Sequence, residues 1–550
     1  MRGGVAKRDI TVRQPAVPML GWGIMDNTAH GVATPLSVRV FAFDDGERRV
    51  TLAVAEILCI TRALRDEVLA LIAFRAPEVD VTESSLLLSS THTHSAPGGY
   101  ANLLYYNLRT PGFIPEVFWS LANDIAECVI SAHRSLEPIT VHHASGEHSV
   151  DDPVAFNRSP EAYSENEDTE RVGFADRAHA TNRRADVIAM RRPDGRLLGA
   201  VHWFACHCTS VHADNHHIHF DNKGIAAQRL EAETGAVVAC AQGAAGDVSP
   251  NHRFDRRRGK MIGAASDDFE SAAIHGAAQA TMAARLIAEA CAAPALPRRV
   301  NAALHDVDFD GYSVDARFAG GTMGLRTGSA RVGMSFMEGT AEGPGPLRRL
   351  RGLNRVLSRL WGALPGGRHE VYGRQLPFLE TGKPRGGRSF GVFVSGSPPP
   401  IGFLDPVVSA VREYDSRDAM FDAPWSPNVL PLQLVEIGSF VLAATPLEPT
   451  TQAGRRIATL VQDTTGARDV VVAGYANDYS AYLTTPEEYD VQAYEGGSTY
   501  FGRASLAGFL TAFERVAHTL DAGGGYATDP DGSIVARVPL EHVYAQLWVP

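Results

Sequence analysis

The chain has 550 residues, 45% of them apolar and 21% charged, the make-up of a globular protein with a substantial core and not of a disordered, collagen-like or coiled-coil chain. Lys and Arg total 51 against 63 Asp and Glu, a formal net charge of -12, which argues against a protein built to grip nucleic acid or anionic membrane, since both need a basic excess. The six cysteines include no CxxC pair; they read as small buried hydrophobes, not as a disulfide framework or a cysteine-rich zinc site.

The N-terminus, MRGGVAKRDITVRQPAVPML, is basic but has no apolar h-region. The longest apolar-leaning run, 52–60, is interrupted by Glu56 and too short to span a bilayer. No transmembrane segment is expected, and the expected compartment is cytoplasmic, with secretion as the alternative. LSVRVFAFDDGERRVTLAVAEI reads as two β-runs around Asp44-Asp45-Gly46. A helix follows over 61–75, with Leu64, Val68 and Leu71 on one face. A short strand, 86–88, runs into THTHSAPGG, where Pro97-Gly98-Gly99 forces a loop. Residues 114–133 read as a helix, LLGAVHWFACH as a buried strand and 222–234 as a helix. VVACAQGAAG reads as a strand ending in a tight turn, and 267–293 as a long Ala-rich helix.

Residues 311–430 are Gly- and Pro-rich, basic around RRLRGLNR and end near SPPPIGF, the composition of a loop-rich insertion. Strand pattern returns in LPLQLVEIGSFVLAAT, followed by a helix over 450–462, a strand over 469–473, a Tyr-rich loop and a helix over 504–520. A last hairpin pivots on Asp529-Pro-Asp-Gly532. The expected class is mixed α/β: one large catalytic domain over 1–520 with sheets flanked by helices, and a C-terminal hairpin or tail over 521–550.

His92 and His94 lie at a strand end. If the strand continues, they point the same way with Cα atoms about 7 Å apart, where α/β folds place their active sites. A second cluster, HWFACHCTSVHADNHHIHFDNKG, holds six histidines between 202 and 219. Of these, His207 closes an apolar strand, while His216, His217 and His219 suit a polar loop or outer hydrogen bonds. Catalytic zinc needs three or four N, O or S ligands and one open position, so a carboxylate should complete such a set. The turn Gly246-Asp247-Val248-Ser249-Pro250-Asn251 could aim the Ser249 hydroxyl into a crevice but is no GxSxG elbow. His369-Glu370 lacks the second histidine of HExxH.

Several segments together resemble the neutral/alkaline ceramidase family, zinc-dependent amidases that cleave the N-acyl bond of ceramide. They are THTHSAPGG (91–99) with Tyr106-Asn107-Leu108, FNRSP (156–160), WFACHCTS (203–210), DNKG (221–224) and AAGDVSPN (244–251), then PWSPNVLPLQLVEIG (424–438), PLEPTTQAGRR (446–456) and GYANDYSAYLTTPEEYDVQAYEGGSTYFG (474–502). These follow the family's order across about residues 15 to 510. The resemblance implies one Zn2+ per chain, held by His92, His207, Glu448 and Tyr482. It implies catalytic roles for His94, Arg158, Ser249 and Tyr494, and an N-acyl lipid as substrate, cleaved to a fatty acid and an amine such as a sphingoid base.

Ser249 could be an acyl-enzyme nucleophile or could position water; the ligand count favours metal-activated water. The sequence also departs from the family. About fifty residues follow EGGST where relatives carry an immunoglobulin-like domain, no secretion signal is visible, and Ala96 stands where glycine is common. Pro449 follows the expected ligand directly, and the stretch before PWSPNVLP is rewritten. A different N-acyl amide, soluble ones included, therefore competes with ceramide as substrate. Two further readings are a non-catalytic zinc-binding homologue and a zinc-free Ser249–His94–Asp247 hydrolase, the second made awkward by the short Ser–Asp spacing.

Overall fold

In Ser37–Asp44, SVRVFAFD, Val38, Val40 and Ala42 point to one side while Phe41 and Phe43 point to the other, and both sides are buried. Such a strand needs cover on both faces. The computed structural model, which describes residues 1–528 except 15, 25, 108–111, 364–370 and 383–423, shows how that cover is supplied.

Three sheets pack against one another with a helical layer outside each. The first has five strands in the order Leu86–Ser90, Arg49–Ala55, Ser37–Asp44, Arg2–Asp9 and Glu137–Pro138. Helices Arg62–Arg75 and Pro115–Arg134 lie on its outer face. The second runs Thr140–Glu147, Arg184–Arg191, Leu197–Phe204, Val237–Gln242, covered by helices Asp221–Thr234 and Asp268–Ala292. The third runs Asp469–Ala473, Phe440–Ala444, Val429–Ile437, Val300–Asp308, Gly525–Thr528, under helices Thr451–Thr465 and Ser505–Asp521. Phe41, Leu52, Ile188, Val201, Val435 and Leu442 meet in one core between the inner faces. Burying each such side chain contributes about 1.5–3 kcal/mol.

Parallel pairing places the site. Arg49–Ala55 and Leu86–Ser90 are parallel, as are Leu197–Phe204 with Val237–Gln242 and Phe440–Ala444 with Asp469–Ala473. A parallel pair needs a crossover, and each of these has one helix: Arg62–Arg75, Asp221–Thr234 and Thr451–Thr465. The loops from the carboxyl ends of these pairs converge on one buried site, at the end of the strands that open α/β sheets favour for ligands.

The helices expected at 61–75, 114–133, 222–234, 267–293, 450–462 and 504–520 all form. Two strand expectations need correcting. Leu197–Phe204 stops three residues before His207, and LPLQLVEIGSFVLAAT is two antiparallel strands turning at Gly438, whose φ of 65° suits glycine. Arg2–Asp9, Thr140–Glu147, Arg184–Arg191 and Val300–Asp308 are strands without a sequence expectation; RGGVAKRD and TVHHASGE carry glycines and charges that mask the strand period. Within 311–430 the structure has a short pair, Arg331–Gly333 with Pro377–Glu380, and a helix, Arg351–Gly362. The SPPPIGF stretch, His369-Glu370 and the Asp529–Gly532 turn lie outside the described residues.

Candidate active site

Backbone pairing draws the loops together before any side chain is considered. Thr93 bridges to Cys208, which lays the His92–His94 segment beside His207. The His207 amide donates to the Val248 carbonyl (3.1 Å), bringing in the Ser249 turn. Ser249 pairs with Phe156, so Arg158 enters alongside it. Glu448 and Tyr482 are direct partners in a two-residue parallel ladder. The Gly246 amide donates to the Pro449 carbonyl (2.8 Å), and a Cβ at Gly246 would collide with the Glu448 carbonyl, so this approach requires glycine.

At the centre, two imidazoles face one carboxylate. His92 Nε2 lies 3.5 Å from Glu448 Oε1, and His207 Nε2 lies 3.0 Å from Oε2. The other ring nitrogens are committed: His92 Nδ1 donates to the Leu58 carbonyl (2.8 Å), His207 Nδ1 to those of Ala245 (2.7 Å) and Val248 (3.0 Å). Carbonyls only accept, so Nδ1 carries the hydrogen, and in the neutral ring Nε2 presents a lone pair. Lone pairs facing carboxylate oxygens in a buried site repel unless a cation sits among them, and a carbonyl behind the imidazole is the usual support of a metal-binding histidine. Burial holds the His92 pKa down to about 4 against the pull of Glu448, so the ring is neutral and able to ligate at pH 7. Burial pushes the Glu448 carboxyl up, but the two histidines and a hydrogen bond from Tyr479 outweigh it and bring it to about 2. The residues fit a divalent cation of the zinc type.

His94 completes a group of three histidines whose ligand atoms lie within 4.8 Å of one another. Both its ring nitrogens are buried without a hydrogen-bond partner, and its ring packs edge-on against Trp22 and His92. Burial and the neighbouring histidines hold its pKa well below the ordinary value. His92 itself has φ 65°, a left-handed conformation that a non-glycine residue keeps only where its surroundings enforce it. The chain thus kinks between the strand and the two histidines instead of extending straight through them.

A charged layer backs this centre. Arg158 Nε donates to Glu495 (2.8 Å), Nη1 to Glu342 (3.0 Å), and Nη2 to the Gly246 carbonyl (2.7 Å) and the Tyr482 hydroxyl (2.8 Å). The guanidinium also lies 5.5 Å from the ring centres of both Tyr482 and Tyr494. Burial raises the Tyr482 pKa and Arg158 opposes that rise. Ser249 donates to Glu342, which also accepts from Asn251 Nδ2 (2.6 Å) and Thr209 Oγ1 (3.2 Å). Burial opposes ionisation of Glu342, yet Arg158 leads the groups that hold its pKa below the usual value. Asp247 faces away: its carboxylate accepts from Thr451 and Asn157, so no Ser249–His94–Asp247 triad forms.

The residues match the model of the neutral/alkaline non-lysosomal ceramidase family, N-terminal region, over 2–364 and 414–511. The chain belongs to this family. It is 31% identical to the neutral ceramidase of Mycobacterium tuberculosis over 94% of its own length and 76% of that protein's. With the neutral ceramidase of Pseudomonas aeruginosa it shares 30% identity over 94% of this chain and 72% of that one. Its fold is similar to a solved ceramidase complexed with C2 (TM-score 0.78, 30% identity, 97% of this chain and 77% of that one). It also matches the crystal structure of the P. aeruginosa neutral ceramidase (TM-score 0.74, 26% identity, 96% and 76%).

Against the ceramidase-derived expectations, His92, His94, His207 and Glu448 meet, with Arg158, Ser249, Tyr482 and Tyr494 around them. The phenols that touch Glu448 are Tyr475 (3.3 Å) and Tyr479, not Tyr482. Sequence reasoning missed both, together with Glu342 and Glu495. His219 is buried, accepting at Nδ1 from the Asp221 amide (2.9 Å), while His216 and His217 are exposed. A second metal-like group, His143, Asp186 and Asp469, already holds a cation, because Arg184 reaches both carboxylates. Five of the six cysteines are buried and all are free. Among the described residues no helix is long and apolar enough to cross a membrane.

Proposed function

We propose that residues 1–520 form a zinc-dependent amidohydrolase that cleaves the N-acyl bond of ceramide or a related N-acyl lipid, releasing a fatty acid and an amine. The observation that carries this is the pair of imidazole lone pairs facing the Glu448 carboxylate. His92, His207 and Glu448 would hold the ion, with Tyr482 as the fourth ligand that the resemblance implies. When bound, zinc supplies the Lewis acidity that makes water a competent nucleophile at neutral pH.

The chain's own residues do the rest. His94, neutral and with unpaired ring nitrogens, takes a proton from the attacking water and relays it to the leaving amine. Tyr482 accepts from Arg158, so its own hydrogen is directed elsewhere and the adjacent cation eases its loss. Tyr494, and the Arg158 guanidinium through its charge, would stabilise a developing oxyanion. The Ser249 hydroxyl donates to Glu342 and accepts from the Asn251 amide (3.0 Å), which suits a positioning role better than a free nucleophile.

The test is release of fatty acid by purified protein, read by mass spectrometry across ceramides of several chain lengths and soluble N-acyl amines. Activity should vanish on chelation and return with zinc. Unchanged turnover in the metal-free protein contradicts the proposal, as does stoichiometric zinc without turnover of any acyl amide.

A further inference from the structure

The Arg351–Gly362 helix, RGLNRVLSRLWG, is built inside out. Leu350, Leu353, Val356, Leu357 and Leu360 recur at spacings of three and four, which lines them along one face. Such a stripe normally packs inward. Here the side facing the body is polar: Asn354 donates to Glu338 (2.6 Å), and buried Ser358 donates to the Arg374 carbonyl (2.6 Å). The five apolar side chains are 45 to 61% exposed.

Of the arginines at 348, 349, 351, 355 and 359, Arg355 pairs with Glu161 (2.7 Å), Arg351 lies 3.7 Å from Glu338 and Arg348 bonds the Thr340 carbonyl, while Arg349 and Arg359 are exposed beside the stripe. The net charge of -12 therefore hides a local reversal of sign. An outward apolar stripe flanked by guanidinium groups is complementary to an anionic lipid surface: hydrocarbon enters the acyl boundary and cations meet headgroup phosphates.

The helix is also joined to the cleft. The Gly345 amide donates to the Glu338 carbonyl (2.8 Å), Leu347 to Met337 (2.9 Å) and Arg348 Nη1 to the Thr340 carbonyl (2.6 Å). This same turn of chain carries Glu342 to Ser249 and stacks Phe336 on Tyr494, with ring centres 5.6 Å apart.

We propose that the Arg351–Gly362 helix is a docking element that lies in the plane of an anionic lipid surface and sets the cleft beside it. Delivery of an N-acyl lipid from that surface rests on the function proposed above; the docking does not.

The test is sedimentation of the full chain with phosphatidylcholine vesicles, with and without phosphatidylglycerol. The protein should bind the anionic vesicles more tightly, and salt should weaken that binding. Replacing Leu353→Asp with Leu357→Asp should weaken it at least about tenfold. Arg349→Ala with Arg359→Ala should weaken it several-fold on anionic vesicles alone. All four side chains are exposed, so both variants should keep wild-type thermal unfolding and wild-type turnover of a water-soluble short-chain acyl amide.

Absence of binding to either vesicle, or unchanged binding by both variants, overturns the proposal. So does a solution dimer dispersed by Leu353→Asp, or a Leu353→Cys thiol in lipid-free protein that a water-soluble maleimide does not label above the wild-type background. Vesicle binding without turnover of any acyl amide sinks the proposed function and leaves the docking intact.

Discussion

His92, His207 and Glu448 reach the cleft from the carboxyl ends of three parallel strand pairs, whereas Glu342 reaches it from the irregular region between Val300–Asp308 and Val429–Ile437. The first group is fixed by backbone ladders and carbonyls behind the imidazoles. The second depends on side-chain bonds to Arg158, Ser249, Asn251 and Thr209. The same irregular region turns an apolar helix face outward. The sheets thus supply a rigid centre able to ligate, and the inserted region supplies the charge that orients it and a surface of its own. The two can be separated by substitution.

The largest effect should follow from breaking the rigid group. Glu448→Ala or His207→Ala should reduce zinc from about one ion per chain to near none and take amide hydrolysis to background, as read by metal analysis and fatty-acid release. Retained zinc with retained activity in either variant would show that the ion sits elsewhere.

Arg158 joins the two groups and should show most in stability. Arg158→Ala leaves Glu342 and Glu495 buried without their cation, a loss of about 3–5 kcal/mol, measurable by urea unfolding. A loss under about 1 kcal/mol would mean the ion pairs are far more hydrated than their burial indicates.

Glu342→Gln keeps the shape of the inserted group and removes its charge. Zinc content should hold while kcat falls about 10- to 100-fold, the range for residues that orient a metal site from behind. Ser249→Ala should do less, retaining zinc and a tenth or more of kcat; a deeper loss with zinc retained favours an acyl-enzyme on Ser249.

Acid acts on several buried histidines at once. Burial lowers the pKa of His133 and His219 to about 4 and of His275 to about 3. Unfolded, each titrates near about 6.5, so between these values the unfolded chain binds the extra protons. Their stabilisation is complete above about pH 6.5 and is lost as pH falls towards about 4, at up to about 1.4 kcal/mol per unit for each histidine. Buried Asp478 and Glu488, raised to about 7, and Asp221 and Asp247, raised to about 6, act in the opposite sense as pH falls, so the sign is read as a difference. Between about pH 7 and pH 5 the urea midpoint of His133→Gln should fall less, or rise more, than that of the wild type, and no difference contradicts it.

The sequence exposed the helices and inner strands because Leu64 and Val68, or Val38, Val40 and Ala42, keep their periods. It also exposed His92, His94, His207, Glu448, Ser249 and Arg158, which stand in contiguous segments resembling the family. Glu342 was illegible: it sits in a Gly- and Pro-rich run, and its meaning comes only from long-range contacts with Arg158 and Ser249. Tyr475 and Tyr479 were hidden among the many tyrosines of one loop, where left-handed turns at Tyr475, Asn477 and Ala481 decide which hydroxyl reaches Glu448. The Arg351–Gly362 helix was not expected, because it lies inside a Gly- and Pro-rich stretch read as a loop-rich insertion.

The central claim is that His92, His207 and Glu448 share one ion. Anomalous diffraction at the zinc edge from zinc-loaded crystals tests it most directly. One peak per chain is predicted, within about 2.0–2.2 Å of both Nε2 atoms and a Glu448 oxygen; a cleft without that peak, or zinc bound only elsewhere, would contradict it.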